Sequence, residues 1–246
     1  MRAAAPTVSL RALCEGYVSA PVLGFPGERT SKHSFSPAAA ILGHHNWIRS
    51  ESGVDDERHG GLAVLDIYAM HRPHALKREL TDVFAAAAAV CIHRFHVPPK
   101  VWAVKADDGD TIHYEVPWTP PSDEGLRTYD DDDETTEFGA CGMALAAVDI
   151  HMGLAAYSRA KKKTGVDFYL CTARASDTAS SLSYDLDHRE TVGLEVSGVS
   201  DDTDANFNER VRRKLAQVRS GRSPDRAIAG VVGFRGARVV FRTAKP

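Results

Sequence analysis

Residues 165–171 read Gly-Val-Asp-Phe-Tyr-Leu-Cys and residues 191–199 read Thr-Val-Gly-Leu-Glu-Val-Ser-Gly-Val. Both segments alternate apolar and polar positions, the period of a β-strand with one buried face. Shortly afterwards the period changes. Phe207, Val211, Leu215 and Val218 share a face only when wound at about 100° per residue, as a helix. A two-faced strand and a two-faced helix must each bury one face against another layer. This switch of period therefore constrains the C-terminal half more than any other feature, to helices packed on a sheet.

The remaining segments extend that pattern. Gly61–Met70 reads as a strand. Pro73 opens a helix that runs to Phe95 and is stopped by Pro98 and Pro99. Lys100–Lys105 and Thr111–Trp118 read as strands joined by Asp107-Asp108-Gly109-Asp110, a hairpin signal. Residues 119–134, rich in Pro and Asp, read as a linker. Thr135 and Thr136 precede a long helix reaching about Lys161, with Phe138, Cys141, Leu145, Val148 and Met152 on one stripe. Asn206 with Glu209 resembles a capping box for the later helix, and Gly221 and Pro224 end it. Ala227–Phe234 and Ala237–Thr243 form a last hairpin. Residues 1–60 are punctuated by Pro and Gly and show one candidate helix at Ala38–Arg49. The expected organisation is an N-terminal α/β region (1–118) of βαββ order, the linker (119–134), and an αββαββ unit (135–246). The fold class is α/β, with a central mixed sheet flanked by helices.

Composition removes several function classes. With 43% hydrophobic and 26% charged residues the chain can build a core, which excludes a disordered or collagen-like chain. No apolar run reaches the roughly 18 residues of a membrane helix, so no membrane partner is expected. The start, with one arginine and a proline, is a poor signal peptide. The four cysteines, Cys14, Cys91, Cys141 and Cys171, form no CxxC pair and read as reduced thiols of a cytoplasmic protein. There is no GxxxxGK[ST] loop, no GxGxxG after a strand and no GxSxG elbow, so no nucleotide cofactor and no serine-hydrolase triad are expected. Zinc is disfavoured as well, because Cys91 and His93 stand two apart on a helix and cannot face one another. Charge is uneven: from Asp201 to the end, eleven Lys and Arg face five acids. Such a tail suits phosphate, or forms a solvated helix face.

The candidate chemistry lies on the two alternating strands. Asp167 sits on the polar face of the first and Glu195 on the polar face of the second, so neighbouring strands bring them together. Two converging carboxylates outline a magnesium site, able to activate water beside a phosphodiester. The bland reading is an ordinary ion pair of Glu195 with Arg174 or Arg189. On the later helix, Arg210, Lys214 and Gln217 fall along one edge of the apolar stripe, where helix meets sheet. Glu137, at the start of the long helix, is a candidate third carboxylate. Arg210, Arg212 and Arg213 are candidate phosphate contacts.

The order helix, strand with Gly165-Val166-Asp167, strand with Glu195, helix, strand resembles the core of the PD-(D/E)XK nuclease superfamily over residues 135–246. The resemblance implies a restriction-endonuclease-like core in which Asp167 and Glu195 bind magnesium. Ser197 stands where that family carries its lysine, and Lys214 on the neighbouring helix is the candidate replacement. Two functions follow as expectations. The first is a magnesium-dependent nuclease-like enzyme acting on DNA or RNA, with a role in bacterial defence. The second is a catalytically silent member of the same fold, a binding or scaffold subunit that docks a protein partner or a second copy through exposed strand edges.

Overall fold

The computed structural model describes residues 61–172, 190–221 and 226–244. The strands are β1 (Ala63–Val64), β2 (Lys100–Ala106), β3 (Thr111–Val116), β4 (Leu154–Arg159), β5 (Phe168–Thr172), β6 (Val192–Val199), β7 (Arg226–Gly233) and β8 (Arg238–Ala244). They form one eight-stranded mixed sheet in the order β1-β3-β2-β8-β7-β6-β5-β4. The pairs β1–β3, β2–β8 and β6–β7 are parallel and the rest antiparallel. The helices are α1 (Arg78–His93), α2 (Asp123–Thr128), α3 (Asp132–Met152) and α4 (Asp204–Ser220). The expected fold class, a central mixed sheet flanked by helices, is what this arrangement gives. None of these helices is long and apolar enough to cross a membrane. The expected helix at Ala38–Arg49, and most of the polar segment after Thr172, lie outside the described residues.

The alternation of β6 sorts the two faces. Leu194 and Val196 point with Phe168 toward α1 and α3, where Phe84 of α1 meets Phe168 edge-on at 6.0 Å. Glu195 and Ser197 point to the other face, which α4 covers. There Val218 packs on Val166, Ala227, Ala229 and Ala244. Helix α3 is buried on nearly every side from Thr135 to Val148, because it lies between the sheet and α1. The expected single stripe is therefore only part of its apolar surface. The two helices approach closely: a Cβ on Gly142 of α3 would stand 2.7 Å from the Phe84 carbonyl oxygen of α1.

Several sequence expectations are corrected. The long helix stops at Met152 rather than Lys161. Gly153 follows in the left-handed region, at φ +63°, and ends it. Residues 154–159 then form β4, so the C-terminal order gains a strand. At the other end α3 begins at Asp132, inside the expected linker. Asp131 caps it by accepting the Glu134 N–H at 2.8 Å, and the acids that follow favour a helix N-terminus. The capping box of α4 is Thr203 with Asn206, three residues earlier than Asn206 with Glu209. The expected strand Gly61–Met70 shrinks to two residues. The last hairpin, expected to offer free edges, lies mid-sheet with β8 on β2 and β7 on β6. The true edge at β4 is covered: Ala75 N–H donates to the Ala156 carbonyl at 2.8 Å, and His74 Nδ1 accepts the Ala156 N–H at 2.8 Å. Burial drives His74 down to about 4, so it serves there as a neutral ring.

Candidate functional site

The site forms where β5 begins and β6 continues past it. Phe168 pairs with Leu194, so the preceding residue, Asp167, stands opposite Glu195. Asp167 lies just before β5 rather than within it. Its Oδ2 accepts the Val196 N–H at 2.8 Å, and its own N–H donates to the Leu194 carbonyl at 2.8 Å. Glu195 is almost wholly buried; its side chain is 6% exposed. Both carboxyl groups line the same cleft. Burial, and then the neighbouring Glu195 charge, raise Asp167 to about 7, against the opposing pull of the Val196 N–H and Lys214.

Helix α4 supplies the cations. Lys214 Nζ donates to Glu195 Oε1 at 2.6 Å, and Gln217 Nε2 donates to the same oxygen at 2.8 Å. Lys214 Nζ also reaches Gln217 Oε1 at 3.3 Å. One turn earlier, Arg210 Nη1 donates to Ser197 Oγ at 2.9 Å. The edge Arg210–Lys214–Gln217 expected from the helical period therefore faces the polar side of β6, residue against residue. Partial burial, then the Arg213 charge, lower the Arg210 pKa, while Asp133 opposes them.

The other expected residues are not gathered in. Arg212 is exposed and paired with Glu209 at 2.5 Å, and Arg213 is exposed on the outer side of α4. Glu137 is exposed on α3 and makes no hydrogen bond or ion pair with Asp167 or Glu195. The turn after it does lie close. The buried Cys141 thiol is raised by burial first, then by Asp167, with Arg159 opposing and Glu137 and Glu195 adding.

Asp167 and Glu195 line a cleft of about 410 Å³ whose other walls include Gln217, Gly221 and the run Lys161-Lys162-Lys163. That lysine run is a feature the sequence reading passed over. The expected helix ended at about Lys161, so the run fell at its end and received no reading of its own. It is the turn between β4 and β5, and Gly165 lets it close: at φ +85° its backbone approaches Gly221 so nearly that a Cβ would stand 3.0 Å from the Gly221 Cα. The cleft is thus anionic at its floor and cationic at its rim.

Among the described residues, no group of three or more His, Cys, Asp or Glu side chains is arranged to hold a metal ion. The pair at the floor is what the site offers. Magnesium is held through one or two carboxylates and keeps the rest of its shell for water and phosphate, so two acids are sufficient in kind. Their charge also fits. Two carboxyl groups meet one lysine there, and burial first, then the Glu195 charge, raises Asp167 to about 7.

Comparisons with protein-family models, with curated proteins and with solved structures found no match in any of the three.

Proposed function

We propose that this chain is a magnesium-dependent phosphodiesterase of the PD-(D/E)XK type, acting on DNA or RNA. One observation carries the reading: Asp167 and Glu195 line the same cleft with Lys214 Nζ 2.6 Å from Glu195, and burial together with the Glu195 charge raises Asp167 to about 7. Asp167 and Glu195 are the residues that would hold the cation, which when bound lowers the pKa of water and offsets charge on a phosphodiester. Lys214 orients Glu195 through a charge-assisted hydrogen bond at 2.6 Å. Gln217 fixes the same oxygen, so Glu195 has one preferred pose. Arg210, anchored on Ser197, extends the cationic edge along β6 toward a phosphate neighbouring the reacting one. Hydrolysis adds one water across a P–O bond; what these side chains contribute is position and charge. A role in bacterial defence belongs to the same proposal and rests on the resemblance. A cytoplasmic setting belongs to it too, supported by Cys91, Cys141 and Cys171, which are buried and form no disulfide.

Cleavage of single- and double-stranded DNA and RNA with magnesium or manganese tests the proposal, using wild type, Asp167→Ala, Glu195→Ala and Lys214→Met. The expected result is metal-dependent cutting that each substitution lowers by about a hundredfold or more. A second readout is the melting midpoint, which magnesium raises in wild type and leaves unchanged in Asp167→Ala. No cutting together with no shift overturns the reading. Salt-dependent binding without cutting transfers the site to the second expectation, a silent binding subunit. The Ser197–Arg210 contact at the family's lysine position favours that alternative.

A further inference from the structure

One segment is tied to both sides of the sheet. Leu65 N–H donates to the Glu115 carbonyl of β3 at 2.9 Å, just past β1, and Ala75 N–H donates to the Ala156 carbonyl of β4 at 2.8 Å. β1 and β4 are the two outer strands, so residues 65–75 form a strap from one edge to the other. Leu65, Ile67 and Met70 are buried and anchor its first part. At the β4 end the fully buried side chain is His74, followed by the half-buried Ala75.

The His74 ring is used on both sides. The Ala156 N–H donates to Nδ1 at 2.8 Å, which leaves the ring proton on Nε2, and Nε2 donates to the Leu145 carbonyl of α3 at 3.1 Å. Only a neutral imidazole can do this. A second proton, on Nδ1, would set two donors against each other in a place closed to solvent. The ionisable groups beside its contacts are His71, Arg72 and Lys77 around the strap, Asp149 a turn past Leu145 on α3, Tyr157 next to Ala156 on β4, and Cys171 on β5. None of them bears on the ring charge: burial lowers its pKa from 6.5 to about 4, opposed only by the Leu145 carbonyl.

An imidazolium here is stable only where it meets water, which requires the strap to lift. The folded pKa lies below the unfolded one, so closure is fully favoured above about 6.5 and loses its support as pH falls from there toward about 4. Lifting also parts the Ala75 N–H from the Ala156 carbonyl, and the outer row of β4 backbone groups is then bared for pairing. We propose that residues 65–75 are an acid-released strap: protonation of His74 detaches the far end and uncovers the outer edge of β4, while the body of the sheet stays folded.

Amide hydrogen exchange of the full chain, followed by NMR at pH 7 and pH 5 and corrected for the intrinsic pH dependence of exchange, tests this. The Ala75 and Ala156 amides are expected to lose protection by on the order of tenfold over that range, the factor supplied by freeing a ring held at about 4 to its ordinary 6.5. Val231 and Val240, paired in the middle of the sheet, keep theirs. His74→Gln has a donor and an acceptor but does not titrate, and it removes the pH dependence. His71→Gln, which alters the other imidazole of the strap, leaves it in place. Equal protection at the two pH values, an equal loss at Val231 and Val240, a loss that survives His74→Gln, or one that disappears in His71→Gln each overturn the strap. Where His74→Gln fails to fold, the wild-type ring decides: its Nε2–H tautomer is present at pH 7, and its protonation tracks the loss at Ala75 and Ala156. A His74 ring that takes up a proton while both amides stay protected overturns the strap as well.

Discussion

The acids at opposite ends of α4 behave in opposite ways. At its N-terminus, Asp202 has a fully buried side chain and is fully answered. It accepts Arg238 Nε at 2.8 Å, Arg238 Nη2 at 2.7 Å and the Gly236 N–H at 2.8 Å. Arg238 in turn lies 4.1 Å over the Phe207 ring and reaches Asp204 at 2.7 Å. One carboxylate meets one guanidinium, both of its oxygens accept hydrogen bonds, and no room is left, since a Cβ on Gly233 would stand 2.5 Å from the Asp202 oxygen. Near the C-terminus, Asp167 and Glu195 share one ammonium, Lys214, and open on a cleft. The same helix is thus latched at one end by matched charge and left with unmatched charge at the other. Matching fixes structure, and a surplus of one sign creates a place for a ligand.

The comparison can be broken most forcefully at the latch. Asp202→Asn leaves the Arg238 guanidinium without its buried partner, and urea unfolding is expected to show a loss of about 3 kcal/mol. A change under about 1 kcal/mol would mean that the latch is not what holds α4 on the sheet.

At the open end the sign reverses. Asp167 is raised in the folded state to about 7, so between the ordinary carboxylate range and that value the native protein binds a proton that the unfolded chain does not. Wild-type stability in EDTA therefore falls as pH rises from about 4 through about 7. Asp167→Asn removes this fall. It is expected to be more stable than wild type by on the order of 2 kcal/mol at pH 8, with the difference vanishing near pH 4. Parallel melting curves at the two pH values check it, and a variant less stable than wild type at pH 8 contradicts the argument that burial and the Glu195 charge together disfavour an ionised Asp167.

The smallest effect sharpens the contrast with the surface. Arg212 pairs with Glu209 at 2.5 Å, but both side chains are mostly exposed, at 75% and 64%. Arg212→Ala is expected to move stability by less than about 0.5 kcal/mol by urea titration, as exposed pairs do.

The regions differ also in how readily they are read from residues. Period alone was enough for β5, β6 and α4, because each has one wet and one dry face. The same period put Arg210, Lys214 and Gln217 on the edge that meets Ser197 and Glu195. It was misleading for α3, which is apolar on nearly all sides because two layers bury it. Without a polar face to lose, its end went unnoticed, and the run Leu-Ala-Ala-Tyr-Ser-Arg of β4 was absorbed into it. Gly153 was the available signal, a glycine after the last apolar turn. Missing β4 hid the lysine turn, since three lysines at a helix end attract no attention and three lysines at the mouth of a cleft do. Glu137 was placed by its nearness to the stripe, yet a helix edge can face sheet or solvent, and this one faces solvent.

By itself the sequence determined which side chains share a face, because alternation and helical winding are properties of the local backbone. That was sufficient to put acid on one side of β5 and β6 and base on one edge of α4. Only the tertiary structure decided that those faces oppose one another, that Asp202 is answered and Asp167 is not, and that β4 returns the lysines to the same opening. Those outcomes depend on strand order and on which charges lose water together, and both are set by contacts between residues far apart in the chain.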